Sequence, residues 1–98
     1  MPAAARQGDS GVPHCSGYTI ATGSSNVLIN GRQAARVGDT STPHLYPSGG
    51  RPPCKPHTAS ITSGSGTVFI NGRPAARVGD GLGGCTAVGS GSFNVFIG

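Results

Sequence analysis

Short apolar runs recur along the chain, separated by stretches of glycine, serine and threonine. Three runs occupy residues 27–29, 68–70 and 95–97. Side chains that alternate along a strand point to opposite faces, so the two outer residues of each run share a face. The middle residues, which point the other way, are Leu28, Phe69 and Phe96. Either all these side chains are buried in a compact core, or the middle three form an outer apolar face that contacts a partner.

The apolar runs predict short β-hairpins. β-branched residues bounded by Gly and Ser clusters are typical of strands, and they predict pairing of 18–21 with 27–29, of 58–62 with 68–70 and of 86–88 with 93–97. Asn30-Gly31 and Asn71-Gly72 follow two of the runs and favour tight turns with positive φ. No segment sustains a helical period, so the predicted fold class is all-β.

One stretch of the chain is written twice. Residues 67–80 repeat residues 26–39 with three differences, and both copies contain Ile-Asn-Gly-Arg and Ala-Ala-Arg-Val-Gly-Asp. A third copy is split, with its first half at residues 94–97 and its second half at residues 4–9. The end repeats of a linear array are caps, so a split unit favours a closed object instead. We therefore expect pseudo-three-fold symmetry, closed by pairing of the N- and C-terminal half-repeats.

The length predicts one small domain, residues 1–98, with repeat units at about 4–29, 30–70 and 71–97 and no additional effector domain. With 35% apolar residues, no Trp, 18 Gly and 8 Pro, the core is thin and some additional cross-link is expected. Three Cys do not make a complete disulfide framework. The start has no signal-peptide pattern, so we expect synthesis in the cytoplasm and export by another route.

The net charge of +4 raises the possibility of a nucleic-acid partner. Five of the seven cations, however, occupy two repeated positions: Arg6, Arg36 and Arg77, and Arg32 and Arg73. Symmetric scattering does not build a stripe along a phosphate backbone, so nucleic-acid binding is the less favoured alternative. The Arg and Asp three residues apart in each unit, as in Arg36 and Asp39, predict a local ion pair or turn cap in preference to a functional dyad.

Zinc-ligand residues recur at one position of the repeat. Five residues after the Asp of each unit the chain has, in order, His14, His44 and Cys85. Equivalent residues about a three-fold axis converge on that axis, and a structural zinc takes four N or S ligands. An insertion in the middle unit ends at His57, which is the predicted fourth ligand. Cys15 or Cys54 could replace one of these four ligands, and this alternative stays open. The alternative without a metal is that the histidines are ordinary surface residues.

Catalysis is not predicted. A catalytic zinc needs an open coordination position and usually a carboxylate base. The sequence has no Glu, and its three Asp all sit at the repeated position. No Gly-rich element has the Lys of a phosphate-binding loop.

The repeated segments resemble a known family. Pro74-Ala75-Ala76-Arg77, with its counterparts at 33–36 and 3–6, is similar to the signature of the PAAR-repeat proteins, and the resemblance extends over essentially the whole chain. Those proteins form the sharpened spike tip of type VI secretion systems and related contractile injection machines. The resemblance implies a small cone of short β-hairpins with a structural Zn²⁺ near the apex, bound by three His and one Cys. That pattern falls on His14, His44, His57 and Cys85.

The resemblance also implies the partner and the place of action. One copy would cap a trimeric spike protein of the valine-glycine-repeat type, travel on it out of the cell and help to puncture the target envelope, with transient membrane contact. Effectors would dock non-covalently at most. A tail tip of a contractile phage is a close alternative to a secretion tip. The chain has Gln33 and Ala3 where the signature has Pro, and Gln7 where the other copies have Val. These differences leave open how regular the N-terminal unit is.

Overall fold

The fold was examined in a computed structural model. The structure describes residues 1–12, 17–42, 44–48, 51–83 and 86–98, and at 44–48 and 51–57 it describes the backbone alone. The described residues form short strands, turns and isolated bridges without a helix, as the all-β prediction requires. None of them forms a helix that could span a membrane.

The described strands pair as four antiparallel two-stranded sheets. In chain order they are β1 (Leu28–Ile29), β2 (Arg32–Gln33), β3 (His44–Ser48), β4 (Arg51–His57), β5 (Phe69–Ile70), β6 (Arg73–Pro74), β7 (Gly81–Leu82) and β8 (Thr86–Ala87). Each strand pairs with the next one along the chain: β1 with β2, β3 with β4, β5 with β6 and β7 with β8. The longest sheet, β3–β4, is the insertion in the middle unit.

Asn-Gly turns connect β1 to β2 and β5 to β6, as predicted. Asn30 and Gly31 have φ of 54° and 77°, and Asn71 and Gly72 have 54° and 78°. A two-residue hairpin turn with positive φ at both positions matches the twist of its strands, and Asn and Gly tolerate that geometry best. These four residues therefore fix the register, with Leu28 opposite Gln33 and Phe69 opposite Pro74.

The predicted pairing within each unit was wrong. Residues 27–29 turn back onto β2 instead of pairing with 18–21, and the latter segment bridges elsewhere, with Thr19 opposite Ser10 and Ile20 opposite Ser41. Residues 58–62 likewise bridge Thr40 and Leu82, and 86–88 bridge β7 and Gly11. The reason is turn chemistry: a two-residue Asn-Gly turn closes a hairpin with less loop than the Gly/Ser segments, which leaves the other segments to pair elsewhere.

The two halves of the split repeat are hydrogen-bonded to each other. Ala3 lies opposite Phe96, the position that Gln33 and Pro74 hold in the complete copies. The Ala4 amide donates to the Val95 carbonyl and the Ile97 amide to the Pro2 carbonyl, each at 2.9 Å. We call this junction, residues 2–4 against 95–97, the seam.

The alanine pairs of the three copies lie at the centre of the molecule. Ala5, Ala35 and Ala76 are joined in a ring of backbone hydrogen bonds, from Ala35 to Ala5, from Ala5 to Ala76 and from Ala76 to Ala35, all 3.0 Å. Three backbones approach closely only where side chains are small, which is why the repeat has Ala there. On one side of the ring Ala4, Ala34 and Ala75 pack with Ile29, Ile70 and Ile97. On the other side Ala5, Ala35 and Ala76 pack with Tyr18, Ile20, Ala59, Ile61, Leu82 and Val88.

Candidate functional site

Three equivalent apolar side chains point out of the molecule. Leu28, Phe69 and Phe96 are 60%, 58% and 51% exposed, whereas the residues that follow them, Ile29, Ile70 and Ile97, are buried. The outward-facing alternative for the middle residues therefore describes the structure, and the fully buried one does not. The alternation is imperfect at Val68, which is exposed although Val27 and Val95 pack against the core. We call Leu28, Phe69 and Phe96 the base face.

Polar side chains tie the hairpin turns to the neighbouring units. The side-chain nitrogen of Asn30, Nδ2, donates to Asn94 Oδ1 at 2.8 Å, and Asn30 Oδ1 accepts from Ser92 Oγ at 2.5 Å. In the same way Asn71 donates to Asn26 Oδ1 at 2.9 Å and accepts from Ser24 Oγ at 2.6 Å. At the third position Gly98 replaces Asn, and its carbonyl accepts from Ser65 Oγ. The strands that carry the base face are thus held by bonds between copies.

The serines of this network also cap the chain just before the strands. Ser24 Oγ accepts from the amides of Asn26 and Val27, and Ser65 and Ser92 do the same in their copies. All three serines are buried. Sequence reasoning missed them, although a Ser three residues before each Val of the apolar runs is a signal that the repeat register contains.

The Arg and Asp of each unit form a local ion pair, as expected from their spacing. Asp39 Oδ2 accepts from the Arg36 amide at 2.8 Å and from Arg36 Nε at 3.0 Å, and Oδ1 accepts from Arg36 Nη2 at 3.1 Å. Arg6 with Asp9 and Arg77 with Asp80 repeat this geometry. Each carboxylate therefore neutralises its Arg and caps the turn that runs from the Arg to the Asp.

The charge state of the middle pair is fixed by its surroundings. Burial alone would raise the pKa of Asp39, but hydrogen bonds from the Arg36 guanidinium, the Arg36 amide and the Thr22 hydroxyl outweigh burial and lower that pKa below its ordinary value. The hydrogen bond to Asp39 raises the pKa of Arg36. The pair is therefore ionised at neutral pH and has no proton to exchange in acid–base chemistry.

The predicted metal ligands are only partly within the described structure. His14 and Cys85 lie outside the described residues, as does the alternative Cys15, and the side chains of His44, His57 and Cys54 are not described. The backbone places His44 directly opposite His57 in the β3–β4 ladder. The described side chains contain no cluster of His, Cys and carboxylates suited to a metal. The ladder therefore brings two of the four predicted ligand positions next to each other, and the others stay predictions.

A comparison with protein families matches most of the chain. The family model described as the PAAR motif matches residues 2–42 and 49–98. The two matched segments contain the base face, the three ion pairs and all three copies of the Ala-Ala-Arg segment. No curated protein matches the chain.

Proposed function

Because the chain belongs to the PAAR-motif family, we propose that it forms the tip of the spike of a contractile injection system. The observation that carries this proposal is the base face, on which Leu28, Phe69 and Phe96 are more than half exposed at equivalent positions of three copies. A trimeric partner presents three equivalent chain ends. One chain with three similar sides can contact all of them at once, which a chain with a single apolar patch cannot.

We further propose a pseudo-three-fold axis through the alanine ring, with the seam closing the third unit. The ring of Ala5, Ala35 and Ala76 and the pairing of Ala3 with Phe96 support this arrangement. The molecule extends 38 Å along one principal axis and 23 Å along each of the other two, which is consistent with an axis along the long dimension. In this arrangement the tip caps a trimeric β-helical spike protein, one copy per trimer.

Zn²⁺ is the proposed cofactor, held by His14, His44, His57 and Cys85. Three imidazoles and a thiolate are a donor set that zinc prefers in closed structural sites. The register of β3 and β4 supports the assignment, because it opposes His44 and His57. A metal there would cross-link the units of a domain with a thin core, and its binding energy would become folding energy.

The proposed role is mechanical, and no turnover is involved. The chain would be made in the cytoplasm and leave the cell on the spike, where it helps to breach the target envelope. All three carboxylates are buried beneath their own arginines, which supports a non-enzymatic role, because none is available as a general base.

The energy available at the base face sets the scale of the test. Fully burying a Leu or Phe side chain stabilises by about 1.5–3 kcal/mol, so covering the exposed half of each contributes ~1 kcal/mol. The three together give ~3 kcal/mol, or about a hundredfold in Kd. Substitution by Glu removes this contribution and adds the desolvation of a charge.

The experiment measures co-migration with the trimeric β-helical spike protein of the same organism in size-exclusion chromatography with mass detection. We expect one chain per trimer, and a loss of binding of more than a hundredfold for the combined variant Leu28→Glu, Phe69→Glu and Phe96→Glu. Val12→Glu is the matched control, since Val12 is also exposed and lies outside the base face. Retained binding by the triple variant, or a ratio other than one to three, would refute the proposal.

A further inference from the structure

Two arginines cover turns that belong to another copy of the repeat. Arg32 Nε donates to the Gln7 carbonyl at 3.0 Å, and its Nη2 lies 3.2 Å from Asp9 Oδ1. Arg73 Nη1 donates to the Val37 carbonyl at 3.3 Å. Both guanidinium groups lie over the glycine of the turn: a Cβ built at Gly8 would be 3.1 Å from Arg32 Nη2, and one at Gly38 would be 2.9 Å from Arg73 Nη1. The turn of the repeat is therefore a binding site for a basic side chain, filled twice from within the chain.

The third turn consists of Val78, Gly79 and Asp80, and Pro2 stands where an arginine would be. The Val78 amide donates to the Ala3 carbonyl at 2.9 Å, as the Val37 amide does to the Pro74 carbonyl. Since Arg73 precedes Pro74 and Pro2 precedes Ala3, Pro2 has the same place beside its turn as Arg73. Proline has no side-chain donor, so this turn receives no guanidinium from the equivalent position.

Within the described residues the third turn differs from the other two at its carbonyl, while its Asp80 is buried like Asp9 and Asp39. No hydrogen bond from the described residues reaches the Val78 carbonyl, and a Cβ built at Gly79 meets none of their atoms within 4 Å. Asp80 Oδ1 accepts from Arg77 at 2.9 Å and more weakly from Ser63 at 3.4 Å. The backbone matches the other two turns, with φ of 94° at Gly79, 94° at Gly38 and 90° at Gly8. The third turn thus has the same backbone conformation as the two turns that hold an arginine.

Two exposed apolar residues lie in the segments next to the seam. Met1 and Phe93 are 85% and 83% exposed. Their counterparts in the complete copies are glycines or a serine: Gly31 and Gly72 for Met1, and Ser25 and Gly66 for Phe93. The segment before Phe93 borders the turn, because a Cβ at Gly91 would be 3.0 Å from Val78 Cγ2. The segments next to the seam therefore carry exposed apolar residues where the complete copies have Gly or Ser.

We propose that the turn at Val78, Gly79 and Asp80 binds one arginine or lysine side chain of a partner protein. On the turn at Gln7 and Asp9, Arg32 uses a carbonyl and a carboxylate as acceptors, and one guanidinium satisfies both at once. Arg73 uses only the carbonyl of its turn. The net charge of +4 disfavours a broadly basic partner, so the site takes an isolated basic residue flanked by apolar ones. It is present once per chain, and it does not depend on the proposed binding of a trimer at the base face.

The test uses the full chain and N-acetylarginine amide as the probe, with the citrulline analogue as its neutral isostere. We expect the arginine probe to shift the amide resonances of residues 78–80 saturably, while citrulline leaves them unchanged. Equal shifts with both probes, or no saturable shift, would overturn the proposal without any variant being needed.

Pro2→Arg supplies the missing guanidinium from within the chain. Filling the site in this way should weaken probe binding at residues 78–80 by at least about tenfold, whereas Pro2→Ala should bind like the unmodified protein. Undiminished binding in a folded Pro2→Arg variant would contradict the assignment. The failure of the trimer to bind the base face would leave this result unaffected, so the two proposals are tested separately.

Discussion

Removal of the Asp39 carboxylate tests how much the internal ion pairs contribute to stability. In Asp39→Ala, three donors of Arg36 lose their acceptor: the amide at 2.8 Å, Nε at 3.0 Å and Nη2 at 3.1 Å. The side chains of Arg36 and Asp39 are only 10% and 4% exposed, so water cannot replace the carboxylate fully. Thr22 also donates to Asp39, but it is exposed and can turn to solvent.

The expected loss in the free energy of unfolding is about 3 kcal/mol. One buried donor left unsatisfied costs about 1–3 kcal/mol, and breaking a buried ion pair costs about 3–5 kcal/mol. Arg36 keeps a hydrogen bond from Nη1 to Asn71 Oδ1 at 3.0 Å, so part of its charge stays solvated by the protein. We therefore expect a loss where the two ranges meet, at about 3 kcal/mol. Domains of this size have about 5–15 kcal/mol of total stability, so the change is large.

Urea unfolding at neutral pH, with metal in excess, measures this loss. For an m-value of about 1.5 kcal/mol/M, the midpoint should fall by about 2 M. Ser25→Ala is the control, because that side chain is exposed and should change stability by less than about 0.5 kcal/mol. A loss below ~1 kcal/mol for Asp39→Ala would show that the pair behaves like an exposed one and would refute the reasoning.

Three further predictions concern pH, packing and metal. The lowered pKa of Asp39 makes its stabilisation complete above about pH 4 and lost as pH falls through that pKa, so Asp39→Asn should flatten the decline of stability with acid. Gly64→Ala should lower the melting temperature by about 10 °C, because its Cβ would lie 2.8 Å from the Ala75 carbonyl oxygen, whereas Gly66→Ala meets no atom and should change little. His57→Ala should lower both the zinc content in elemental analysis and the melting temperature, and an unchanged pair of values would defeat that ligand assignment.

The sequence was most informative where a feature is local. Positive φ at Asn30 and Asn71 follows from the Asn-Gly dipeptides, and the ion pair of Arg36 with Asp39 follows from a spacing of three residues. The outward direction of Leu28 follows from strand alternation, but its exposure depends on what packs on that side, which alternation does not determine. Both interpretations were therefore open until the structure was seen.

Pairings other than the Asn-Gly hairpins could not be predicted from local pattern. Thr19 bridges Ser10 in its own unit and Ile20 bridges Ser41 in the next, and neither segment has a sequence signal that identifies its partner. The contact of the Arg32 guanidinium with Gly8 could not be predicted either, because it depends on how two copies of the repeat pack together. The ligand positions His44 and His57 were predicted from repeat register, and their opposition in the β3–β4 ladder required the backbone.

The pairing of Ala3 with Phe96 has a consequence for how the protein is made. The two residues are 93 positions apart, and the alanine ring that depends on the same packing joins residues 5, 35 and 76. Such distant contacts slow folding, and during synthesis they cannot form until residues 95–97 have left the ribosome. Until then the backbone of residues 2–4 lacks its partner strand, so a chaperone that shields it should raise the yield of native protein.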